Sequence, residues 1–361
     1  MARSGIIYGG TGSFKTTNIK WFAHYIAEVT GKATALLSLD GGGWGACQPE
    51  IDAGMIIPYR AETNVLPLPI LRRISQGFWP KDLSETEPSK IDLFPMEWDK
   101  IGGIAVEGWT SISNAIMRYL PDKGINVGGE DRAKLSFAVP IHLSGQLVNE
   151  KFGSNTRGDY GFVQNLLNGL VLNWNALPCH YVLYTALESK TEDDDRSTTF
   201  GPAIAGKKAT KDCGAWIGDM IHAQDYPKIE KVMVPDPSKP GTDAKIEQDL
   251  IGLTCRYYFM KHPDPSTGIP FPAKPRVTPE KVRELLKRFP GGYFEPQPEG
   301  KDSFADYLRE VDRLNAEQSK SGALTNWRKK MDDKLGRSGT AAPAPAAPAA
   351  PASPPAPGGG K

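Results

Sequence analysis

Residues 5–31 read GIIYGGTGSFKTTNIKWFAHYIAEVTG. A short apolar run ends in glycines, a polar loop follows, and a helix with apolar spacing near 3.6 closes at Gly31. A strand that turns through glycines straight into a helix commits the chain to a β-loop-α unit, and such units build parallel sheets. The same alternation continues downstream. ATALLSLDGGG is an apolar run ending at Asp40, IGGIAVEGW is another ending at Glu107, and TSISNAIMRYL has helical periodicity. Residues 159–177 form a further helix, followed by the strand HYVLYTALES. Continuous apolar strands between helices predict an α/β fold: a mainly parallel central sheet with flanking helices on both faces. Sheets of this kind bind ligands at their strand-to-helix turns.

The 361 residues suffice for one large or two modest domains. Forty-three Lys and Arg balance 42 Asp and Glu, so no global basic field announces nucleic acid, and any such contact needs a local patch. No apolar run is long enough to span a membrane, and no signal-peptide core precedes the first strand. Cys47, Cys179, Cys213 and Cys255 are scattered without metal spacing and are expected to be buried thiols. Residues 60–100 are expected as an insertion, 122–158 and 189–212 as loops (the second alternatively as a hairpin with a charged tip), and 226–250 as an exposed excursion. Thr278 and Pro279 open a helix. A helical region is expected over 296–337 and a disordered proline-alanine tail over 338–361, after a main domain of 1–295.

The loop carries the phosphate-binding pattern GxxxxGK[ST] at Gly9, Lys15 and Thr16, with Phe14 at the second glycine position. In this reading Gly9, Gly10, Thr11, Gly12, Ser13, Phe14, Lys15, Thr16 and Thr17 form the nucleotide-binding segment. Backbone N–H groups and the helix start cradle phosphates, Lys15 reaches the β- and γ-phosphates, and the Thr16 hydroxyl holds magnesium. The competing reading is a glycine turn with a chance lysine-threonine pair. Glu107, ending a buried strand, is the second magnesium-side candidate and stands where aspartate is usual. Asp40 is the candidate base for the attacking water, and Thr185 is placed to meet the γ-phosphate from its strand end. Glu107 could instead be a surface acid at a strand end, Asp40 a turn residue, and Thr185 could simply finish its strand. Tyr257, Tyr258 and Phe259 are candidates for base stacking or for the buried half of a strand; Trp109 and Trp216 are expected in the core.

Taken in order, several segments resemble the RecA-like ATP-binding proteins of phages, the group of the Sak-type single-strand-annealing ATPases. They are YGGTGSFKTT, SLDGGG, IAVEGWTSI, DYG-x-VQN, YVLYTALES, FGPAIAGKKA, RYYFMKH before AKPR, and PGGYFEP, spanning roughly residues 5–295. The resemblance implies a RecA-like P-loop NTPase core, ATP and Mg2+ as cofactors, homo-oligomerisation, single-stranded DNA, and phage recombination or replication proteins as partners. It further implies the cytoplasm of an infected bacterial host. Lys207, Lys208, Lys261, Lys274 and Arg276 fall where the family carries charged residues. Of these, Lys207 and Arg276 are taken with Thr185 as γ-phosphate sensors or contacts to a neighbouring subunit. Phe14, Glu107 and Leu187 depart from the family pattern. A hydrolysis-deficient assembly or scaffolding protein is therefore the alternative, and a nucleotide kinase a weaker third.

Overall fold

The computed structural model describes residues 2–39, 44–60, 68–85, 89–122, 136–153, 159–192, 198–204, 207–235, 238, 245–296 and 300–320. The chain divides into two units, Met1–Leu314 and Asn315–Lys361. Of the second, only 315–320, the end of a helix, is described.

The chain begins with β1 (Arg3–Gly9), α1 (Thr17–Thr30) and β2 (Ala33–Ser38), then α2 (Gln48–Asp52) and β3 (Ile56–Arg60). Next come α3 (Leu68–Ser75), β4 (Phe78–Pro80), β5 (Asp92–Pro95), β6 (Ile101–Glu107) and α4 (Trp109–Asp122). They are followed by β7 (Ser136–Leu143), β8 (Gln146–Gly153), α5 (Asp159–Ala176), β9 (Tyr181–Glu192), β10 (Thr198–Pro202) and α6 (Lys207–Trp216). The last elements are β11 (Asp219–Pro235), β12 (Lys245–Tyr258), β13 (His262–Pro263), β14 (Pro270–Phe271), α7 (Pro279–Arg288), β15 (Tyr293–Phe294) and α8 (Phe304–Lys320).

Among the described residues the main sheet runs β15-β12-β11-β1-β9-β6-β2-β3, with β10 attached to β9. Six neighbouring strands, β11-β1-β9-β6-β2-β3, are parallel, while β12, β15 and β10 pair antiparallel. The protein is thus a mixed α/β molecule with a large, mostly parallel sheet. Its two faces follow from strand alternation. Ile6, Tyr8, Val106, Val182 and Tyr184 point to the side of α3, α4 and α5. Ile7, Leu36, Ala105, Leu183 and Ile221 point to the side of α1. That second side also buries Phe304, Tyr307, Leu308, Val311 and Leu314, so the first turns of α8 belong to the core of the main unit.

One irregularity sits between β2 and β6. Ala33 pairs with Ile101 but Thr34 with Gly103, leaving Gly102 as a bulge. A side chain at Gly102 would stand 2.2 Å from the Thr30 hydroxyl.

Part of 122–158, expected as a loop, is the β7–β8 hairpin, which joins β4 and β5 from the expected insertion in a separate sheet. Its turn is Ser144-Gly145, both with positive φ, the geometry of a two-residue hairpin turn. The excursion at 226–250 is the outer part of a β11–β12 ribbon, and β9–β10 is a hairpin whose tip, 193–197, lies outside the described residues. The helix after Thr278 starts at Pro279 as read, without a side-chain cap bond.

Candidate functional site

The phosphate-loop segment lies at the C-terminal end of β1, between the parallel strands β11 and β9. Gly9 is buried, and a Cβ there would come within 2.2 Å of the Ala223 carbonyl on β11 and 2.9 Å of the Ser13 hydroxyl. Only glycine lets β1 run this close to its neighbour while the loop folds over it. Gly10, Thr11 and Gly12 are exposed, and nothing lies within 4 Å of where a Cβ of Gly10 or Gly12 would be. The loop therefore borders open space. Ser13 is buried and ties the loop inward, its backbone N–H and hydroxyl both donating to the Gly10 carbonyl, at 3.3 and 2.8 Å.

Lys15 bends back across this loop. Its Nζ donates to the carbonyls of Gly9 (3.2 Å) and Gly10 (2.6 Å) and to the Ser13 hydroxyl (3.0 Å). The ammonium is thus held at the loop mouth, over backbone rather than over a carboxylate in these bonds. Phe14 has φ of +52° and is exposed. The position that ordinarily carries glycine keeps a left-handed backbone here, and the ring points outward.

Thr16 occupies the N-cap position of α1 but makes no capping bond, and its own backbone is already helical. Its hydroxyl donates instead to Glu107 Oε1. Glu107 ends β6 and is buried, and its second oxygen accepts from the Ser38 hydroxyl of β2 at 2.8 Å. Strand β9 lies between β1 and β6, so this contact crosses the end of the sheet over the strand that carries Thr185. The buried Thr185 hydroxyl accepts from the Gly108 N–H at 3.2 Å, fixing the turn after Glu107. Below Thr16, Cys47 is buried and its thiol points to the Thr16 carbonyl at 3.5 Å. Burial pushes that thiol up to about 12, with Glu107 adding to it, so Cys47 packs as a neutral group.

The structure brings Gly9, Ser13, Lys15, Thr16, Glu107 and Thr185 to one end of the parallel strands. It also recruits Ser38, which has no sequence signal as a lone serine in an apolar strand. Asp40 lies outside the described residues. Lys207 begins α6, but its side chain and that of Lys208 lie outside the described part. Arg276 is at the opposite end of the strands: its backbone N–H donates to Asp219, which pairs with Gly5 at the start of β1. Within one chain it is therefore remote from the loop. Lys274 bonds to the carbonyl of Gly214, and Lys261 is exposed. Tyr257 and Phe259 are buried, while Tyr258 stacks on His262 at 3.6 Å. Trp109 is buried against Trp174 and Tyr184, and Trp216 packs at the edge of the same core.

A second polar group sits beside the loop strand. His222, opposite Tyr8, is buried, with Nε2 at 2.6 Å from Glu188 and Nδ1 at 3.1 Å from His262 Nε2. Burial, then the neighbouring His222, lowers His262 to about 4.

No protein-family model and no curated protein matches the chain. Among solved structures it is similar to a KaiC-like protein from the hyperthermophilic archaeon Pyrococcus horikoshii OT3, with 12% identity over 75% of this chain and 89% of that one, and a TM-score of 0.30. No helix among the described residues is long and apolar enough to cross a membrane. No cluster of three or more His, Cys, Asp or Glu suited to a metal occurs among them either.

Proposed function

We propose that this chain is a RecA-like P-loop protein that binds ATP with magnesium and hydrolyses it. We place it as a homo-oligomer acting on single-stranded DNA in phage recombination, annealing or replication, in the host cytoplasm. The observation that carries the nucleotide reading is the contact between the Thr16 hydroxyl and Glu107, which joins the loop of β1 to the acid ending β6. The phage and DNA assignments take their support from the ordered motifs alone.

The residues suit both ligands. The glycine-lined loop borders open space, and Lys15 supplies a cation at its mouth. Thr16, Glu107 and Ser38 offer only hard oxygen donors, with one carboxylate, the set that suits magnesium held jointly with phosphates. Magnesium would be held by Thr16 and Glu107, with Ser38 orienting the carboxylate. When bound, it neutralises charge on the transferring phosphoryl group. Lys15 then turns from the loop carbonyls to the β- and γ-phosphates, and Thr185 presents a hydroxyl from the strand between. Asp40, at the end of the β2 run, keeps its role as the proposed base. Lys207 and Arg276 are proposed as contacts to a neighbouring subunit's nucleotide.

Phe14 favours a second reading, in which nucleotide is bound but not turned over and the protein serves in assembly. An exposed aromatic on the loop, with glutamate in place of aspartate, changes the surroundings of the reacting phosphate. Equilibrium ATP binding and hydrolysis, each with and without single-stranded DNA, separate the two. The first reading expects DNA-stimulated turnover abolished by Lys15→Ala; tight binding without turnover establishes the second. Wild-type binding as poor as that of Lys15→Ala overturns both.

A further inference from the structure

Tyr257 lies far from the loop in sequence but directly beneath it in space. It sits at the end of β12, is 2% exposed, and stacks its ring on Phe294 at 5.1 Å with planes 12° apart. Its hydroxyl reaches the carbonyls of Phe14 at 3.1 Å and Ser13 at 3.3 Å. The Phe14 carbonyl also accepts from the Thr17 N–H at 3.1 Å and from the Asn18 side-chain amide at 3.3 Å. Three donors therefore converge on the carbonyl of the one loop residue that is non-glycine and left-handed. Phe14 is 47% exposed, so packing of its own ring does little to hold that backbone in place.

The orientation has a chemical consequence. In a planar trans peptide, a carbonyl and the following N–H point in opposite directions. Drawing the Ser13 and Phe14 carbonyls inward onto Tyr257 turns the N–H groups of Phe14 and Lys15 outward. Successive outward N–H groups around a left-handed residue make a concavity for an anion.

We infer that Tyr257 is a positioning residue for phosphate binding, doing from β12 what glycine at position 14 would otherwise do from within the loop. It holds the left-handed turn and aims two backbone donors at the nucleotide phosphates. Burial keeps its phenol protonated, so the clamp is present across the working pH range. This inference rests on the nucleotide reading above, and its test has one arm independent of it.

The variants are Tyr257→Phe, which keeps the ring and its stacking, Phe14→Gly, and the two combined. The first readout is hydrogen exchange, without nucleotide, at the bonded amides of Ser13, Thr17, Asn18 and Ile19. Tyr257→Phe should accelerate these about tenfold and leave β1, β9 and β11 unchanged. The second is equilibrium binding of ATP with magnesium. Tyr257→Phe should weaken it about tenfold, and adding Phe14→Gly should restore it to within about threefold of wild type, as expected for the loss of one buried hydrogen bond. A merely structural tyrosine would give a loss that glycine at position 14 does not rescue. Unchanged loop exchange in Tyr257→Phe overturns the clamp whether or not ATP binds. Unchanged binding, or a loss without rescue, overturns its role in phosphate positioning. Failure of the wild-type protein to bind ATP sinks the nucleotide reading and with it that positioning role, while exchange still decides the clamp.

Discussion

The Thr16 hydroxyl donates to Glu107 Oε1, and Ser38 holds the other oxygen of the same carboxylate at 2.8 Å. The acid is therefore aimed at the phosphate-loop helix by a serine three strands away from the loop strand. Glu107→Ala should remove magnesium-dependent ATP turnover while leaving the melting temperature within a few degrees of wild type. Ser38→Ala should cost about 10- to 100-fold in magnesium affinity, the usual effect of removing a group that orients a metal ligand. Magnesium titrations of ATPase activity, with thermal melts as control, measure both; a Ser38→Ala titration matching wild type would count against this arrangement.

Gly9 allows no substitute. The intruding atom at 2.2 Å is the backbone carbonyl of Ala223, in a strand paired to β1, and it has no rotamer by which to move away. Gly9→Ala should lower stability by about 3 kcal/mol, the upper end of the roughly 1–3 kcal/mol usual for overpacking a tight interior, and should move the loop. Gly12→Ala, at a position with open space but φ of +84°, should cost only about 1–2 kcal/mol of backbone strain. Chemical denaturation of the two variants side by side decides the order.

At Phe14 the sign is reversed. A left-handed conformation costs an ordinary residue about 1–2 kcal/mol, and glycine avoids this while losing about 0.5–1 kcal/mol through its freer unfolded chain. Phe14→Gly should therefore be neutral to stabilising by up to about 1.5 kcal/mol, whereas Phe14→Ala should bring no gain. Equal melting temperatures for Phe14→Gly and a destabilised Phe14→Ala still fit; a Phe14→Gly protein less stable than Phe14→Ala does not.

His262 gives the fold a dependence on acid. Its pKa is about 4 in the folded protein against an ordinary 6.5, because burial and the adjacent His222 disfavour the charged ring. Between these values the unfolded chain binds the proton more readily. The contribution to stability is thus complete above about pH 6.5 and is lost as pH falls through about 4. Over pH 7.5 to 5 the wild-type melting temperature should fall more steeply than that of His262→Gln. Parallel curves would show that His262 does not carry the acid sensitivity.

Local signals carried the start of the site and distant ones did not. The glycines, Lys15 and Thr16 are contiguous, and Glu107 ends an apolar run, so strand-loop-helix chemistry was readable from residues alone. Ser38 was not, because a single serine in ATALLS is indistinguishable from any small residue on a buried strand. Tyr257 was read as a stacking candidate or as strand core, and only the pairing of β11 and β12 carries it under the loop. Arg276 shows the opposite failure. Late charged residues look alike in sequence, but Arg276 enters beside Asp219, at the far end of β11 from the loop. In 122–158 the glycines and polar residues suggested a loop, while the Ser-Gly pair at 144–145 was a hairpin turn.

The bulge at Gly102 sets an address at the other end of its strand. Beyond it each β2 residue faces the β6 residue sixty-nine positions on, so Ser38 lies opposite Glu107; at the Ala33–Ile101 spacing it would face Val106. Gly102 is the residue that absorbs this shift: were the bulge flattened so that Gly102 took a place in the ladder, Val106 would stand opposite Ser38 and the acid would move off register. A residue with no side chain, five positions from the acid and on the far side of the core, thus works as a spacer for the proposed metal site. A side chain at 102, which would collide with the Thr30 hydroxyl and press on the bulge, should therefore act as an active-site mutation, although nothing there reaches a nucleotide.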